Sequence, residues 1–397
     1  MNILIINAGS SSLKYQLINM NDESTVAKGN VERIGIEGSN LVHKYSGQVY
    51  KVEQPLKDHT EAIRLVLDAL TDKDHGVISS MDEIGAVGHC VVHGGEKFAG
   101  SHLINESVIS MIEENIPLAP LHNPANLMGI RACQAVMPNT PMVAVFDTAF
   151  HMTMEKEAFL YALPMDYYRR LKVRRYGFHG SSHRFVSQRT RELLGEKDGE
   201  KLVICHLGNG SSLSAVKDGK VVDTSMGLTP LEGVVMGTRC GTIDPAIIYY
   251  LMKQENLTIE QVDNILNKKS GLIGLSELSS DMRDVRTAAE NGNEQALTTL
   301  NIWAYGIRKL IGAYTAAMNG ITALVFTAGI GENDFTARTR ICKGLEYLGI
   351  KIDEEKNRAA AGEEAVISTP DSAVKVVVVP TNEELIIARD TLELASK

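Results

Sequence analysis

Three glycine-bearing stretches hold the residues of this chain best suited to chemistry. Gly9-Ser10-Ser11-Ser12-Leu13 and Asn209-Gly210-Ser211-Ser212-Leu213 are near-copies of one phrase, and each follows an apolar β-type run, Ile3 to Ile6 and Leu202 to Cys205. A further short apolar stretch follows each, so the pattern reads strand, turn, strand, made twice. Glycine admits a ligand close to the backbone, and serine hydroxyls with turn N–H groups donate to an anion. Two such turns facing each other would grip a polyphosphate from both sides. Two ordinary hairpins are the competing reading; the repeat at domain-sized spacing favours the grip. The third stretch, Ala328-Gly329-Ile330-Gly331-Glu332-Asn333, is expected to be a loop after a strand over Ala323 to Thr327. A strand leading through Gly-x-Gly toward a helix offers N–H groups to a phosphate or ribose. The three together point to one nucleotide held in a cleft between two similar domains.

The elements that must position these turns alternate between β and helical patterns, which indicates layered α/β domains. Ala86 to His93, Met142 to Phe146 and Val374 to Val379 read as buried strands. Asn123 before Pro124 reads as the cap of an amphipathic helix running toward Val136, and Thr258 as the cap of another reaching Leu266. Glu294 to Met318 is a long helix carrying the only tryptophan, Trp303, as a core residue, and a last helix spans about Glu383 to Leu394. The repeat divides the chain into 1–150 and 151–382, with the terminal helix, 383–397, returning to the first part. With 397 residues, 44% hydrophobic and 22% charged, the chain can bury two cores. A net charge of -9 argues against a broad nucleic-acid or anionic-membrane surface. The basic run Arg169-Arg170, Lys172-Val173-Arg174-Arg175 reads as a solvated face with one or two residues turned inward. No apolar run has membrane-spanning length and no basic flank precedes a long apolar stretch, so a cytoplasmic location is expected. Cys90, Cys133, Cys205, Cys240 and Cys342 lack Cys-x-x-Cys spacing and read as free thiols.

The strings NAGSSSLK from Asn7, VVHGGE from Val91, PLHNPAN from Pro120, VFDTAFH from Val145, RRYGFHGSSH from Arg174, HLGNGSS from His206, DTSMGLTPLEG from Asp223, MGTR from Met236, SDMRD from Ser280, FTAGIGEN from Phe326 and PTNEE from Pro380 resemble the acetate kinase (acetokinase) family. The resemblance runs from the first residues to the last helix. It implies the fold of the actin, sugar-kinase and heat-shock chaperone superfamily. That is an α/β architecture of duplicated ribonuclease-H-like (actin-like ATPase) domains with a nucleotide cleft between them, usually homodimeric. It also implies ATP, acetate and Mg²⁺ (with Mn²⁺ able to substitute), and neither a nucleic acid nor a membrane partner. The implied reaction is reversible in-line phosphoryl transfer from ATP to acetate, giving acetyl phosphate and ADP.

Acetate is ionised at neutral pH, so its kinase needs no general base. The task is electrostatic: two anions must be aligned and the charge on the phosphoryl oxygens stabilised. By resemblance, Arg239 stabilises the transferred phosphoryl group with His179 as its partner, and Asp147 is the essential aspartate, which orients Arg239 or the acyl substrate. Asn7 and Glu383 match the positions that hold Mg²⁺, directly or through water. Lys14 reaches the phosphates or is an exposed strand lysine. The nucleotide falls to His206, Leu207, Gly208, Asn209 and Gly210, to Asp281, Met282 and Arg283, and to Gly329, Ile330, Gly331, Glu332 and Asn333. Val92, Leu121, Phe178 and Pro230 match an apolar pocket for the acyl methyl.

The pattern breaks at Gly88-His89-Cys90-Val91-Val92-His93-Gly94-Gly95, where Cys90 stands in place of the family's substrate-binding arginine. A neutral, weak donor replaces a bidentate cation, a change that by analogy costs about 2.7 to 4 kcal/mol of transition-state stabilisation. A propionate or other short-chain acyl kinase, a low-activity ATP-binding relative and a reactive-thiol role for Cys90 are therefore alternatives. Cys240-Gly241-Thr242 after Arg239 is a smaller departure from the usual Ser-Gly-Asp.

Overall fold

Unbroken burial of Ile3, Leu4, Ile5 and Ile6 marks a strand covered on both faces. In the computed structural model, which describes Met1 to Lys397, this run is the centre of the first of two units, Met1–Phe150 with Asn382–Lys397. Its strands are Asn2–Ala8 (β1), Ser12–Asn19 (β2), Ser24–Glu32 (β3), Asn40–Tyr45 (β4), Gln48–Glu53 (β5), Ile84–Val91 (β6), His102–Leu103 (β7) and Met142–Phe146 (β8). They form one sheet in the order β5-β4-β3-β2-β1-β6-β8-β7. The first five pair antiparallel, whereas β1, β6 and β8 run parallel. Leu4, Ile6, Leu13 and Leu17 face the helix His59–Thr71 through Ile63, Val66 and Leu67. Ile3, Ile5, Val143 and Val145 pack on Ile387 and Ala388 of the helix Glu383–Ala395. Period-two alternation thus sends successive residues of β1 into two separate cores.

The second unit is His151–Thr381. Its strands are Lys201–Leu207 (β9), Ser211–Lys217 (β10), Lys220–Thr224 (β11), Ala323–Thr327 (β12), Ala365–Val366 (β13) and Lys375–Val378 (β14), ordered β11-β10-β9-β12-β14-β13. Here too an antiparallel hairpin, β9 and β10, leads into parallel partners, β12 and β14. Trp303, on the helix Glu294–Ala317, is buried in this unit's core beside Leu213, Leu324 and Phe326. Thr258 caps the helix Ile259–Lys268 with a reciprocal capping box to Gln261.

Three sequence expectations are corrected. Asn123 is the first residue of its helix, Asn123–Val136, rather than the cap; the cap position is His122, without a side-chain cap bond. The Asn123 amide instead accepts from His93 N and donates to the His93 and Ile112 carbonyls, so tertiary demand captured the side chain. Ala328–Asn333 is a single helical turn and a half rather than a loop, starting directly at the end of β12. The strand expected over Ala86 to His93 spans Ile84–Val91, and His93 lies beyond it. In the basic run Arg169, Arg170 and Lys172 are exposed, while Arg174 is buried against the Phe159 ring at 3.6 Å. All five cysteines are free.

Candidate active site

In the first unit the parallel strands β1, β6 and β8 end together. Ile6 pairs with His89 and Cys90 with Val145, so Asn7, Cys90 and Asp147 emerge at neighbouring strand ends. Asp147 N donates to the Val91 carbonyl at 2.9 Å, extending the ladder by one bond. Glu383 begins the terminal helix, where the positive helix end suits an acid. Burial nevertheless pushes its carboxyl up to about 8, with Asp147 and Glu384 adding to the rise and Lys14 opposing it. Burial also lifts the Cys90 thiol well above its ordinary range, reinforced by Asp147, Glu383 and Glu384. Cys90 is therefore a neutral thiol among carboxylates. Lys14, exposed on β2 opposite Asn7, is the cation that acts on this cluster.

No three His, Cys, Asp or Glu side chains form a ready-made metal cage. The donor chemistry still fits a hard divalent cation: crowded carboxylate oxygens of Asp147 and Glu383 and the amide oxygen of Asn7. Mg²⁺ binds through one or two carboxylates and keeps several waters, so it needs no closed cage. A cation there would offset the burial, and the lesser repulsion from Asp147 and Glu384, that raise Glu383.

In the second unit four histidines converge under the β9–β10 turn. His179 Nδ1 and His183 Nε2 lie 3.0 and 2.7 Å from the Ser212 hydroxyl. His206 stacks on His179 with ring centroids 4.1 Å apart and pairs through Nδ1 with Ser182 Oγ at 2.7 Å. Thr381 in turn donates to Ser182 at 2.8 Å. His151 Nε2 meets Ser214 Oγ at 3.1 Å. Burial drives all four imidazoles below their ordinary value, His179 to about 4 with Arg239 as a secondary cause. They are neutral at pH 7. A Cβ on Gly210 would lie 3.5 Å from both the Arg239 Nη1 and the His179 ring, so the turn, the arginine and the histidine meet at one place. Arg239 Nη1 donates to the Pro230 carbonyl at 3.2 Å.

Beside that turn opens a cavity of about 580 Å³ lined by Gly208, Asn209, Ser280, Asp281, Met282, Arg283, Arg286, Gly329, Ile330, Asn333 and Asp334. Most nucleotide candidates from the sequence are brought together here. Asn209 is held tightly at the rim, because a Cβ on Gly237 would fall 2.0 Å from its Oδ1. Asp281 is paired with Arg283 at 2.6 Å, which lowers its carboxyl to about 2. The cavity does not include the remaining candidates. Leu207 is core, His206 belongs to the histidine stack, and Gly331 packs against the β9 and β12 backbones. Glu332 turns its carboxylate to the N–H groups of Ala328 and Thr381 at 2.7 and 3.0 Å. Beneath, the buried Arg338 donates to the Gly331 and Glu332 carbonyls at 2.8 and 2.9 Å and pins the same turn. Lys14 lies in the first unit.

The four acyl-pocket candidates divide between the units. Val92 is half-buried and Leu121 is 74% exposed in the first; Phe178 is 3% exposed and Pro230 half-buried in the second. The sequence reading missed Arg286, Asp334 and Ser280. Helical periodicity signals Arg286, four residues beyond Met282 on the helix Met282–Glu290, and Asp334 is the N-cap of the helix Phe335–Cys342. It also missed His183, Ser212 and Ser182, whose meeting is a tertiary event without a local signal.

Comparison with known proteins agrees along the whole chain. A family model described as the acetokinase family matches residues 2–389. An acetate kinase of Clostridium botulinum (strain Langeland) is 58% identical over 399 residues, covering 100% of both chains. The crystal structure of Porphyromonas gingivalis acetate kinase superposes with a TM-score of 0.96 at 46% identity, covering 99% of each chain. A propionate kinase from Francisella tularensis subsp. tularensis SCHU S4 gives 0.91 at 40% identity, again over 99% of each. These structural matches identify the two repeated sheets as the duplicated actin-like ATPase fold. Matched in sequence and in both sheets over its full length, the chain belongs to the acetokinase family.

Proposed function

We propose that this protein transfers the γ-phosphoryl group of ATP directly to acetate, reversibly, giving acetyl phosphate and ADP. The observation that carries the reading is the meeting of Arg239 and His179 at Gly210, beside the 580 Å³ cavity. A nucleotide held there by Gly208, Asn209, Asp281 to Arg283, Gly329, Ile330 and Asn333 would direct its phosphates along the β9–β10 turn. Arg239, half-buried and without a carboxylate bond partner in its unit, presents a charge for the equatorial oxygens of the group in transfer. His179, neutral through burial, donates or accepts a hydrogen bond without adding charge. Asn7 and Glu383 would hold Mg²⁺, or Mn²⁺ in its place, which supplies charge neutralisation to the phosphates. Asp147 orients groups at that end rather than removing a proton, since acetate has none to lose.

Trapping acyl phosphate with hydroxylamine from MgATP and acetate tests this, and absence of product overturns it. Propionate should be a slower substrate, because a pocket discriminates one methylene by about 1 to 3 kcal/mol. The full-length identity to acetate kinases does not favour a disabled ATP-binding role, Cys90 notwithstanding.

We also propose a homodimer in the cytoplasm. The helix Ala246–Glu255 reads AIIYYLMKQE yet buries no residue, leaving Tyr249 and Tyr250 73% and 63% exposed. An apolar helix face of this kind is what a second copy covers. Sedimentation should report a dimer, and a Tyr249→Asp, Tyr250→Asp double variant a monomer. Free thiols at all five cysteines suit a reducing compartment.

A further inference from the structure

The stretch Ser225 to Gly233 forms neither helix nor strand, so part of its backbone takes side chains as hydrogen-bond partners. Arg175 reaches the start of the stretch. Its Nη1 reaches the Thr224, Ser225 and Met226 carbonyls at 2.9, 3.2 and 3.4 Å, and its Nη2 pairs with Glu232 Oε1 at 2.8 Å. The Tyr161 hydroxyl donates to the other Glu232 oxygen and accepts from Leu228 N at 3.1 Å. Gly227 passes directly over this pair: a Cβ there would lie 2.0 Å from Glu232 Oε2 and 2.1 Å from the Tyr161 oxygen. Tyr176 N, just before the His179 turn, donates to the Gly227 carbonyl at 3.0 Å. Leu228 and Glu232 therefore anchor the chain two residues before and two residues after Pro230. The Pro230 carbonyl is the acceptor of Arg239 Nη1.

We propose that Tyr161, Glu232 and Arg175 form a positioning network that sets the place of Pro230 and of the Arg239 guanidinium, and thereby the choice of acyl acceptor. This rests on the kinase reading above. Each of the three acts through the loop, and none needs to touch substrate. Buried polar networks fix geometry only while every member is satisfied. Removing one hydroxyl leaves Leu228 N and a Glu232 oxygen short of partners and lets the loop shift.

The test compares the native protein with Tyr161→Phe, which keeps the ring, and Glu232→Gln, which keeps the shape. We expect KM for acetate to rise about tenfold and the acetate-to-propionate ratio of kcat/KM to change about fivefold, with KM for MgATP within about twofold of native. Hydrogen exchange of the Leu228 amide should quicken in Tyr161→Phe. Variants that keep the native substrate ratio, losing activity only as their folded fraction falls, overturn the network while leaving the kinase reading intact. Unchanged Leu228 exchange overturns it as well. A native protein that forms no acyl phosphate overturns the kinase reading itself and the selectivity claim with it.

Discussion

The strand order β3-β2-β1-β6-β8 of the first unit is repeated as β11-β10-β9-β12-β14 in the second, yet the two strand ends carry opposite chemistry. The first gathers Asp147, Glu383 and Glu384 around a neutral thiol, with Lys14 as the cation acting on it. The second gathers Arg239 and four uncharged histidines. Topology decides where a site forms, because parallel strands end together and leave N–H groups and loops at one edge. Side-chain choice then decides what the edge attracts. One edge is crowded with acidic groups; the other sets an arginine beside neutral imidazoles.

That contrast can be broken most sharply at Arg239. Arg239→Ala should lower kcat about a thousandfold or more, as loss of a phosphoryl-stabilising arginine does, with KM for MgATP little changed. Trapped acetyl phosphate measures it, and retained activity would remove the second edge from catalysis. At the opposite edge, Cys90→Arg introduces a cation among carboxylates and should raise kcat/KM for acetate by about a hundredfold to a thousandfold. Cys90→Ser, which adds no charge, should stay near native in the same assay.

Metal binding separates the edges next. Mg²⁺ at a hundred times its dissociation constant should stabilise the native protein by about 2.7 kcal/mol, seen as a higher denaturation midpoint. Glu383→Gln should abolish that gain and stabilise the metal-free protein by removing a carboxyl that burial, and to a lesser degree Asp147 and Glu384, disfavours.

Acid should act on the histidine edge. The folded value of His179 is depressed from 6.5 to about 4, and that of His151 to about 3. Above pH 6.5 these imidazoles are neutral in both folded and unfolded chains, and the full stability is present. As pH falls from 6.5 toward 4 the unfolded chain takes up protons that the folded chain refuses, so stability is lost through that window. The loss should be on the order of 1 to 3 kcal/mol for His179. Trp303, the only tryptophan, lies in the second unit's core, so its fluorescence reports this unit specifically. A midpoint independent of pH between 6.5 and 4 would contradict the buried neutral stack. The smallest effect belongs to Thr258→Ala, which removes one side of a capping box and should cost about 1 kcal/mol in urea unfolding, without altering kinetics.

Local pattern was enough to read most of the frame. Both hairpins, the strand Ala323–Thr327, the Thr258 cap and the last helix from Glu383 follow from apolar runs and short-range chemistry. The glycines of Ala328–Asn333 misled as loop markers, because Glu332 accepts from Ala328 N and Arg338 holds the carbonyls, enforcing a helical turn that glycine alone does not favour. Asn123 misled for the same reason: a distant backbone, at His93, claimed the amide that the sequence offers to a cap. In the cavity beside the β9–β10 turn, Gly208, Asn209, Asp281 to Arg283, Gly329, Ile330 and Asn333 were legible as motifs, whereas Arg286 and Asp334 were not.

By itself the sequence determines the duplication, the strand and helix periods, the residues available at each turn and the substitution at Cys90, because these depend on neighbours along the chain. Tertiary structure alone decides that Ser212 lies between His179 and His183, that Arg175, Tyr161 and Glu232 close on one loop, and that burial, with Asp147 and Glu384 adding to it, pushes the Glu383 carboxyl up to about 8. Charge shifts and shared hydrogen bonds depend on distance in space and on exclusion of water, and no spacing along the chain encodes either.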